Sequence, residues 1–287
     1  MTRSLPQSTG ERYLEVEHGR LAYLDEGAGR VLVFIHGWPL NKETFRSLNT
    51  RLKHSFRCIA FDLLDIGNSR PVDGEAQLCF SRHAQIILDA LDRLGVTKFC
   101  LIGQNSGGLI ARMIADIARD RVEHLVLFNT ELPNHIPPWL RLFQAMAKFP
   151  ALAKITFRTS LRSRFLAKSP MAFGGCFVDK EKIFGTFFDD CAAPLLRDDE
   201  RLFGALRFLD QMDWSTRFEI EDMHRGIAAK THFIWGDKDK FFPLELALLA
   251  FEQFPNRGDF IVVENTKLLP YYEKPEFVAS HMIRILG

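Results

Sequence analysis

Short runs of apolar residues alternate with amphipathic helical patterns along most of the chain. The pattern predicts a hairpin from Tyr13–Glu17 and Leu21–Leu24 and a first fully buried strand at Val31–Ile35. Further buried strands are predicted at Cys58–Phe61, Phe99–Gly103, Leu125–Phe128, Thr231–Trp235 and Phe260–Val263. Helices are predicted at Arg82–Leu94, Gly108–Ile117, Leu244–Phe254 and Pro275–Leu286, and a loop at Thr266–Glu273. This alternation predicts an α/β fold with a mostly parallel, twisted sheet flanked by helices.

The alternation stops between Leu132 and about Ala229, where the sequence becomes helical and rich in Phe. A helical block inserted after one strand of an open sheet is typical of a lid over the carboxyl ends of the strands, where ligands of such sheets bind. We therefore predict a core domain of residues 1–131 and 230–287 and a helical lid of residues 132–229. Basic residues in the first half of the lid favour a solvated helix face over an anion site: Arg141, Lys148, Lys154, Arg158, Arg162 and Arg164.

Composition limits the kinds of partner that the protein is expected to bind and the cell compartment in which it is expected to occur. The chain has 287 residues, a hydrophobic fraction of 47% and a formal charge of +1, and it has no basic stripe, so we expect no nucleic-acid partner. Five scattered cysteines without a C-x-x-C pair indicate a reduced, cytoplasmic protein. We expect no metal site and no cofactor. No apolar run follows Met1–Pro6 or reaches the roughly 18 residues of a membrane helix, so we expect neither secretion nor a membrane.

The stretch Cys100–Ala111 predicts a buried strand, a turn bracketed by Gly103 and Gly107, and the start of a helix. Such a turn lifts its middle residue, Asn105, to the head of the helix. A tight turn without catalytic content is the structural alternative. Moving the register by one residue would make Ser106 the presented residue, but it would place the long side chain of Gln104 at a position that has no room for one.

Four motifs in order carry a resemblance to a known family: His36-Gly37-Trp38-Pro39, Asp62 to Ser69, the glycine turn, and Gly236-Asp237-Lys238-Asp239. Along nearly its whole length the chain resembles the α/β-hydrolase fold family, and within it the haloalkane dehalogenase and epoxide hydrolase branch. The resemblance implies an oxyanion hole from the backbone N–H groups of Trp38 and Ser106. It also implies that the two key catalytic positions are substituted. Asn105 stands where the family has Ser, Asp or Cys, and Leu268 stands where it has histidine.

These substitutions remove the ordinary chemistry. An uncharged amide is not a nucleophile, and leucine cannot shuttle a proton. Asp239 matches the family's acid, with Glu131 as a spare, and either a ligand contact or a loop-stabilising role is open to it. The lid contains none of the four tyrosines, and no tryptophan follows Asn105, so neither epoxide opening nor a halide clamp is expected.

Three functions follow as alternatives. The first is an enzyme that acts on a small hydrophobic molecule by cyclisation, elimination, isomerisation or unusual hydrolysis, with Asn105 and Asp239 as orienting groups. The second is a non-catalytic small-molecule binder or receptor. The third is an inactivated variant of a dehalogenase-like hydrolase.

The remaining expectations concern the substrate pocket and the missing base. We expect substrate contacts from His36, Trp139, Phe143 and Leu268, although His36 can instead brace its loop and Trp139 can be a packing anchor. Other lid phenylalanines are expected over the pocket: Phe149, Phe157, Phe165, Phe173 and Phe177. A lid histidine, His135 or His224, is a possible replacement base. The ligand and the oligomeric state are left unassigned.

Overall fold

In a computed structural model, which describes residues 10–72 and 77–287, nine strands form one sheet. The strands are β1 (Arg12–Val16), β2 (Gly19–Glu26), β3 (Val31–Ile35), β4 (Arg57–Phe61), β5 (Arg70–Pro71), β6 (Phe99–Gln104), β7 (Val122–Phe128), β8 (Lys230–Gly236) and β9 (Arg257–Val263). Their order is β1-β2-β4-β3-β6-β7-β8-β9, and β5 pairs with β2. The strands β4, β3, β6, β7, β8 and β9 are parallel, whereas β1, β2 and β5 pair in antiparallel fashion.

Twelve α-helices accompany the sheet in the described residues. They are α1 (Arg46–Leu52), α2 (Phe80–Arg93), α3 (Ser106–Ile117), α4 (Leu140–Ala147), α5 (Pro150–Arg162), α6 (Arg164–Ala167), α7 (Ala193–Arg197), α8 (Asp199–Asp210), α9 (Ile220–Gly226), α10 (Leu244–Phe251), α11 (Pro270–Glu273) and α12 (Pro275–Leu286). Of these, none in the described parts is long and apolar enough to cross a bilayer.

The predicted α/β class with a mostly parallel sheet flanked by helices is confirmed. Three elements are absent from the sequence prediction. Strand β5 and helix α1 were not expected, because both are short and lack a long periodic pattern. The predicted loop Thr266–Glu273 contains the single turn α11, which Pro270 begins with a φ suited to a helix. The segment 1–6, used to predict the absence of a leader, lies outside the described residues.

The segment between β7 and β8 is helical. It contains α4 to α9, and no strand interrupts it within the described residues. Several contacts fasten this segment to the sheet side. For example, the Trp38 indole donates to the Ala205 carbonyl at 2.7 Å, and Arg207 binds Asp65 through two hydrogen bonds of 2.6 and 2.7 Å. The boundaries 132–229 remain a prediction.

A buried ion cluster holds the loop that follows β3. The Lys42 ammonium lies 2.6 Å from Glu11 Oε1 and 2.7 Å from Asp62 Oδ2, and all three side chains are almost fully buried. Burial opposes ionisation of Asp62, but the charge of Lys42 and the hydrogen bonds that Asp62 accepts together outweigh burial and hold the pKa of Asp62 below its usual value. Asp62 also accepts from the backbone N–H groups of Lys42 and Asn68, at 2.8 and 2.7 Å. The cluster therefore ties three loops together beside the His36–Pro39 motif.

Replacing Lys42 with Met should destabilise the protein by about 3–5 kcal/mol, because Asp62 and Glu11 would be left buried and unpaired. Lys53→Met is the matched control, since its partner Glu26 is partly exposed and the pair contributes about 1 kcal/mol or less. Urea unfolding of both variants measures the difference. Equal losses in the two variants would contradict the proposed importance of the cluster.

Candidate functional site

The strand-to-helix turn presents Asn105. Strand β6 ends at Gln104, helix α3 begins at Ser106, and Asn105 between them has φ 50° and ψ −136°, a strained conformation for a residue with a side chain. Its N–H donates to the Asn129 carbonyl at 3.1 Å, and its carbonyl accepts from the Gly108 N–H at 2.7 Å. These bonds hold the turn and fix the direction of the Asn105 side chain.

Close backbone approaches explain the glycines of the turn. A Cβ on Gly103 would lie 2.6 Å from the Gly108 Cα, and one on Gly107 would lie 2.3 Å from the Ile35 carbonyl oxygen. Gly37, in the facing loop, leaves room for Asn105 itself, since a Cβ there would lie 2.4 Å from the Asn105 Cβ. No larger residue fits at these positions without moving the backbone.

The predicted oxyanion pair is engaged differently from what the sequence suggests. The Trp38 backbone N–H donates to Ser106 Oγ at 3.0 Å, so this donor is already satisfied by a protein group. The Ser106 side chain is fully buried and absent from the cavity wall. By contrast, the Ser106 N–H is at the first turn of α3, where a helix offers N–H groups without intrahelical acceptors. Of the predicted pair, the Ser106 N–H therefore has no protein acceptor within the described residues, but Ser106 does not line the cavity.

His36 lies beneath the loop. Its Nδ1–H donates to the Gly37 carbonyl and its Nε2 accepts from the Leu63 N–H, both at 3.1 Å. The ring is buried, and burial lowers its pKa. His36 is not on the cavity wall, which corrects its expected substrate contact and fits the alternative of a bracing role.

The closing loop presents Leu268 to the cavity. Backbone bonds fix this loop: the Lys238 N–H donates to the Thr266 carbonyl at 2.9 Å, and the Lys267 N–H donates to Glu273 Oε1 at 2.8 Å. The Leu268 side chain is almost fully buried and lines the cavity. The closing loop therefore contributes an apolar side chain to the part of the cavity wall that faces the turn.

Asp239 lies behind the wall. Its Oδ2 accepts from the Asn129 side-chain amide at 2.9 Å, and its Oδ1 accepts from the Phe241 N–H at 2.8 Å. The carboxyl group is buried and does not line the cavity, so it is not positioned as an orienting group for a ligand. Burial raises its pKa to about 7, although both hydrogen bonds oppose the rise.

Glu131 is the acidic residue of the cavity wall among the described residues. It follows β7, its Oε2 lies 2.8 Å from Thr130 Oγ1, and burial raises its pKa. The buried guanidinium of Arg112 donates to Thr130 Oγ1 at 3.1 Å and to the Glu131 carbonyl at 3.0 Å. Thr130 Oγ1 is also 2.8 Å from the Asn105 carbonyl, so this network reaches the turn.

Thr130 and Arg112 were missed by sequence reasoning, and Glu131 was ranked only as a spare. A usable signal was present. Asn129, Thr130 and Glu131 are three consecutive polar residues directly after a central parallel strand, and the carboxyl ends of such strands face the ligand site.

The cavity itself has a volume of about 200 Å³ and a mostly apolar wall. The core contributes Trp38, Pro39, Asn105, Glu131, Phe241 and Leu268, and the segment between β7 and β8 contributes the rest, including Phe143, Met146, Thr156, Phe157, Ser160, Met171, Phe173 and Cys176. Within residues 10–72 and 77–287, no three His, Cys, Asp or Glu side chains are grouped as metal ligands would be.

The predicted aromatic contacts divide into three groups. Phe143, Phe157 and Phe173 line the cavity, whereas Phe177 is packed in the core. Trp139, Phe149 and Phe165 are exposed, by 46%, 65% and 85%. The expected substrate contact of Trp139 is therefore corrected, because this residue, which has a left-handed φ of 68° directly before α4, is absent from the cavity wall.

Neither lid histidine lies on the cavity wall. His135 Nε2 bonds to the Phe241 carbonyl at 2.7 Å, and His224 Nδ1 lies 2.8 Å from Gln253 Oε1 with its ring stacked on Phe254. Burial lowers the pKa of His224 well below its usual value. Both rings are thus committed to structural contacts away from the site.

Comparisons with known proteins extend these observations. Residues 30–275 match a family model described as alpha/beta hydrolase fold. Haloalkane dehalogenase 2 of Mycobacterium tuberculosis is 36% identical over 120 residues, which are 42% of this chain and 41% of that protein. The chain thus spans about two fifths of the length of this relative. A soluble epoxide hydrolase of a Corynebacterium species is 33% identical over 113 residues, 38% of each chain.

Two further comparisons cover more of the chain. Pimeloyl-(acyl-carrier protein) methyl ester esterase of Pectobacterium carotovorum is 35% identical over 214 residues, 65% of this chain and 80% of that protein. The crystal structure of an alpha/beta hydrolase fold protein from Burkholderia ambifaria superposes with a TM-score of 0.79 at 19% identity, covering 95% of this chain and 97% of that one. The last likeness concerns the fold alone.

Replacing Asp239 with Asn should cost less stability as the pH rises. Because the pKa of Asp239 is raised to about 7, the folded protein holds a proton that the unfolded chain releases near pH 4, and the wild type loses stability across this window. The difference in unfolding free energy between wild type and Asp239→Asn should therefore shrink by a few kcal/mol from about pH 5 to about pH 7.5. Urea titrations of both proteins test this, and a difference that stays constant with pH would contradict it.

Proposed function

Since this chain belongs to the α/β-hydrolase fold family, we propose that it binds a small hydrophobic molecule in the lid-covered cavity and acts on it without a covalent ester intermediate. The observation that carries this proposal is that Asn105 from the turn and Leu268 from the closing loop both line the cavity.

Hydrolysis through an alkyl or acyl ester needs a nucleophilic oxygen or sulfur and a base. The amide of Asn105 supplies neither a negative oxygen nor a removable hydroxyl proton, and Leu268 cannot accept a proton. Ser106 offers a hydroxyl, but that oxygen is buried and accepts from the Trp38 N–H. The ordinary ester and haloalkane reactions are therefore proposed to be absent or weak.

The hydrogen-bond partners of Asp239 also support the proposal that the ordinary ester and haloalkane reactions are absent or weak. Asp239, which corresponds to the family's acid, has Asn129 and the Phe241 N–H as partners and no imidazole among the described residues. The side-chain amide of Asn129 donates a hydrogen bond to the carboxyl group of Asp239, but unlike an imidazole it cannot relay a proton. We therefore propose a degenerate triad in which the former acid has become a structural residue.

The polar groups that remain suit acid-assisted chemistry. Burial raises the pKa of Glu131, and in its protonated form this carboxyl can donate a hydrogen bond or a proton to an oxygen of the ligand. The N-terminal end of α3, which begins directly after Asn105, carries partial positive charge and favours negative charge that develops on such an oxygen. The Asn105 amide can both donate and accept, and so can orient the ligand. Isomerisation, elimination or cyclisation of a carbonyl or hydroxyl compound would use these groups.

The wall limits the ligand to a small apolar molecule. A cavity of about 150 Å³ lined by apolar side chains holds benzene, so about 200 Å³ suits a substituted ring or a short branched chain. The phenyl rings of Phe143, Phe157 and Phe173 supply apolar contact from the lid side. A non-catalytic binder is the second candidate, because the same wall lacks a histidine among its described residues.

Wild-type protein should not turn over generic aryl esters, haloalkanes or epoxides above background. The double variant Asn105→Asp, Leu268→His restores a carboxylate nucleophile and a base, and should gain measurable hydrolysis of at least one class. Each single variant serves as the matched control, since neither alone supplies both groups. Turnover by the unmodified protein would overturn the proposal.

Ligand preference should depend on pH through Glu131. A protonated carboxyl donates to a ketone oxygen, so we expect an aromatic ketone to bind about fivefold more tightly than the hydrocarbon of the same shape, the effect of one hydrogen bond of about 1 kcal/mol. This preference should fall as the pH rises and Glu131 ionises, whereas Glu131→Gln should keep a pH-independent preference. Calorimetric titrations measure both. A wild-type preference that does not change with pH, or a Gln variant that retains the change, would argue against this role.

A further inference from the structure

We propose that the outer face of the lid docks on a membrane surface that carries anionic lipids. The face is here named the lid patch, and it consists of large apolar residues that are exposed to solvent: Leu142, Phe149, Leu152, Ile155 and Phe165. Three of them, Phe149, Leu152 and Ile155, are exposed by 65%, 56% and 65%. Single exposed apolar residues are ordinary, but a group on one helix face marks an interaction surface.

Helix α5 has two apolar faces. Ala153, Phe157 and Leu161 point inward, where they are buried or half-buried. Phe149, Leu152 and Ile155 are spaced by three residues and so share the opposite, outward face. Helices α4 and α6, which carry Leu142 and Phe165, both pack against α5. The inward face packs against the protein interior. The outward face stays exposed to solvent and has no packing partner within the described chain.

The segment that carries the lid patch has a large net positive charge. Between Leu140 and Met171 the sequence has seven Lys and Arg residues and no Asp or Glu. The formal charge of the whole chain is only +1, so this segment is far more basic than the rest. Lys154 and Arg158 share Asp199, and Arg164 and Lys168 share Glu181, so each of these carboxylates leaves one excess positive charge.

Three more cations stand around the lid patch without acidic partners among the described residues: Arg141, Lys148 and Arg162, all of them exposed. An apolar helix face flanked by unpaired cations is the pattern of helices that lie in a membrane interface, where the apolar residues insert and the cations meet lipid phosphates. A second copy of the chain is a poorer occupant, because two segments of the same strong charge would repel each other.

The cavity opens beside the lid patch. Thr156 of α5, Met171 and Pro138 line the cavity and are exposed to solvent, so the cavity reaches the surface next to α5. Thr156 directly follows Ile155 of the patch. A hydrophobic ligand that is dissolved in the bilayer could therefore reach the cavity from a docked lid without crossing water.

The inference runs counter to the expectation that no membrane is involved. That expectation rested on the absence of a spanning segment, and a hydropathy window does not detect an interfacial helix face. Docking also stands apart from the proposed function, since it depends on the lid surface and not on Asn105 or Leu268.

The experiment is cosedimentation of the purified full chain with vesicles of phosphatidylcholine alone and of an equimolar mixture with phosphatidylglycerol. We expect binding to the mixed vesicles that weakens with added salt and little binding to phosphatidylcholine. The variant Arg141→Gln, Lys148→Gln, Arg162→Gln should bind the mixed vesicles about a hundredfold more weakly. The variant Phe149→Ser, Leu152→Ser, Ile155→Ser should bind about tenfold more weakly or worse.

Matched controls come from elsewhere on the surface. Leu246→Ser, Leu248→Ser, Leu249→Ser removes three exposed apolar residues of α10, and Lys98→Gln, Lys230→Gln, Lys274→Gln removes three exposed cations outside the lid. Both controls should bind like wild type, and so should Asn105→Asp, Leu268→His. Circular dichroism melting checks that every variant is folded.

Three results would overturn the proposal. One is a wild type that does not bind mixed vesicles at low salt. Another is an equal loss in the control variants, which would indicate attraction by bulk charge or general stickiness. The third is a dimer in size-exclusion chromatography that the apolar triple variant abolishes, without vesicle binding, because it would assign the lid patch to a second copy.

Discussion

The backbone of one residue, Asn105, sets the geometry of the site. A residue with φ 50° and ψ −136° stores strain of order 1–3 kcal/mol and persists only where its surroundings leave no alternative. Here Gly37, Gly103 and Gly107 let the neighbouring backbones approach so closely that the chain cannot relax. The conformation aims the Asn105 side chain at the cavity and starts α3 beneath it, whatever the chemistry of that side chain. A scaffold that is this rigid can keep its shape while the residues that it presents change.

Two buried acidic residues near that turn, Asp239 and Glu131, have different surroundings. Asp239 is closed off behind the wall by an amide and a backbone N–H, whereas Glu131 stands on the wall, with Thr130 and Arg112 beside it. Both have a raised pKa because burial opposes their charged forms. One acid thus stabilises the loop after β8 and the other is accessible to a ligand. The two carboxyl groups have different surroundings because Glu131 follows β7 and Asp239 follows β8. The cavity wall therefore keeps one carboxyl group, although none of its described residues is a histidine.

Much of the core could be predicted from the sequence because buried parallel strands give uninterrupted apolar runs. Val31–Ile35 and Pro275–Leu286 agree with the structure at both ends. The substituted positions Asn105 and Leu268 were found because each lies in a segment of fixed length and motif. The lid was harder. Its phenylalanines have similar sequence surroundings, yet Phe143 lines the cavity and Phe149 faces solvent, because short helices and irregular turns separate them. Trp139 was misplaced for the same kind of reason, since its left-handed φ is not encoded in any periodic pattern.

The most direct measurement is the intact mass of the protein, followed by peptide mapping, after prolonged incubation with a reactive haloalkane and, separately, with an organophosphonate that traps nucleophilic serine. An uncharged residue at the turn and a buried serine beside it predict no adduct at position 105 or 106 with either reagent, whatever adducts form on the free cysteines. An adduct that maps to Ser106, or an alkyl ester at position 105 formed after conversion of the amide to a carboxylate, would contradict the claim that the turn no longer carries a nucleophile.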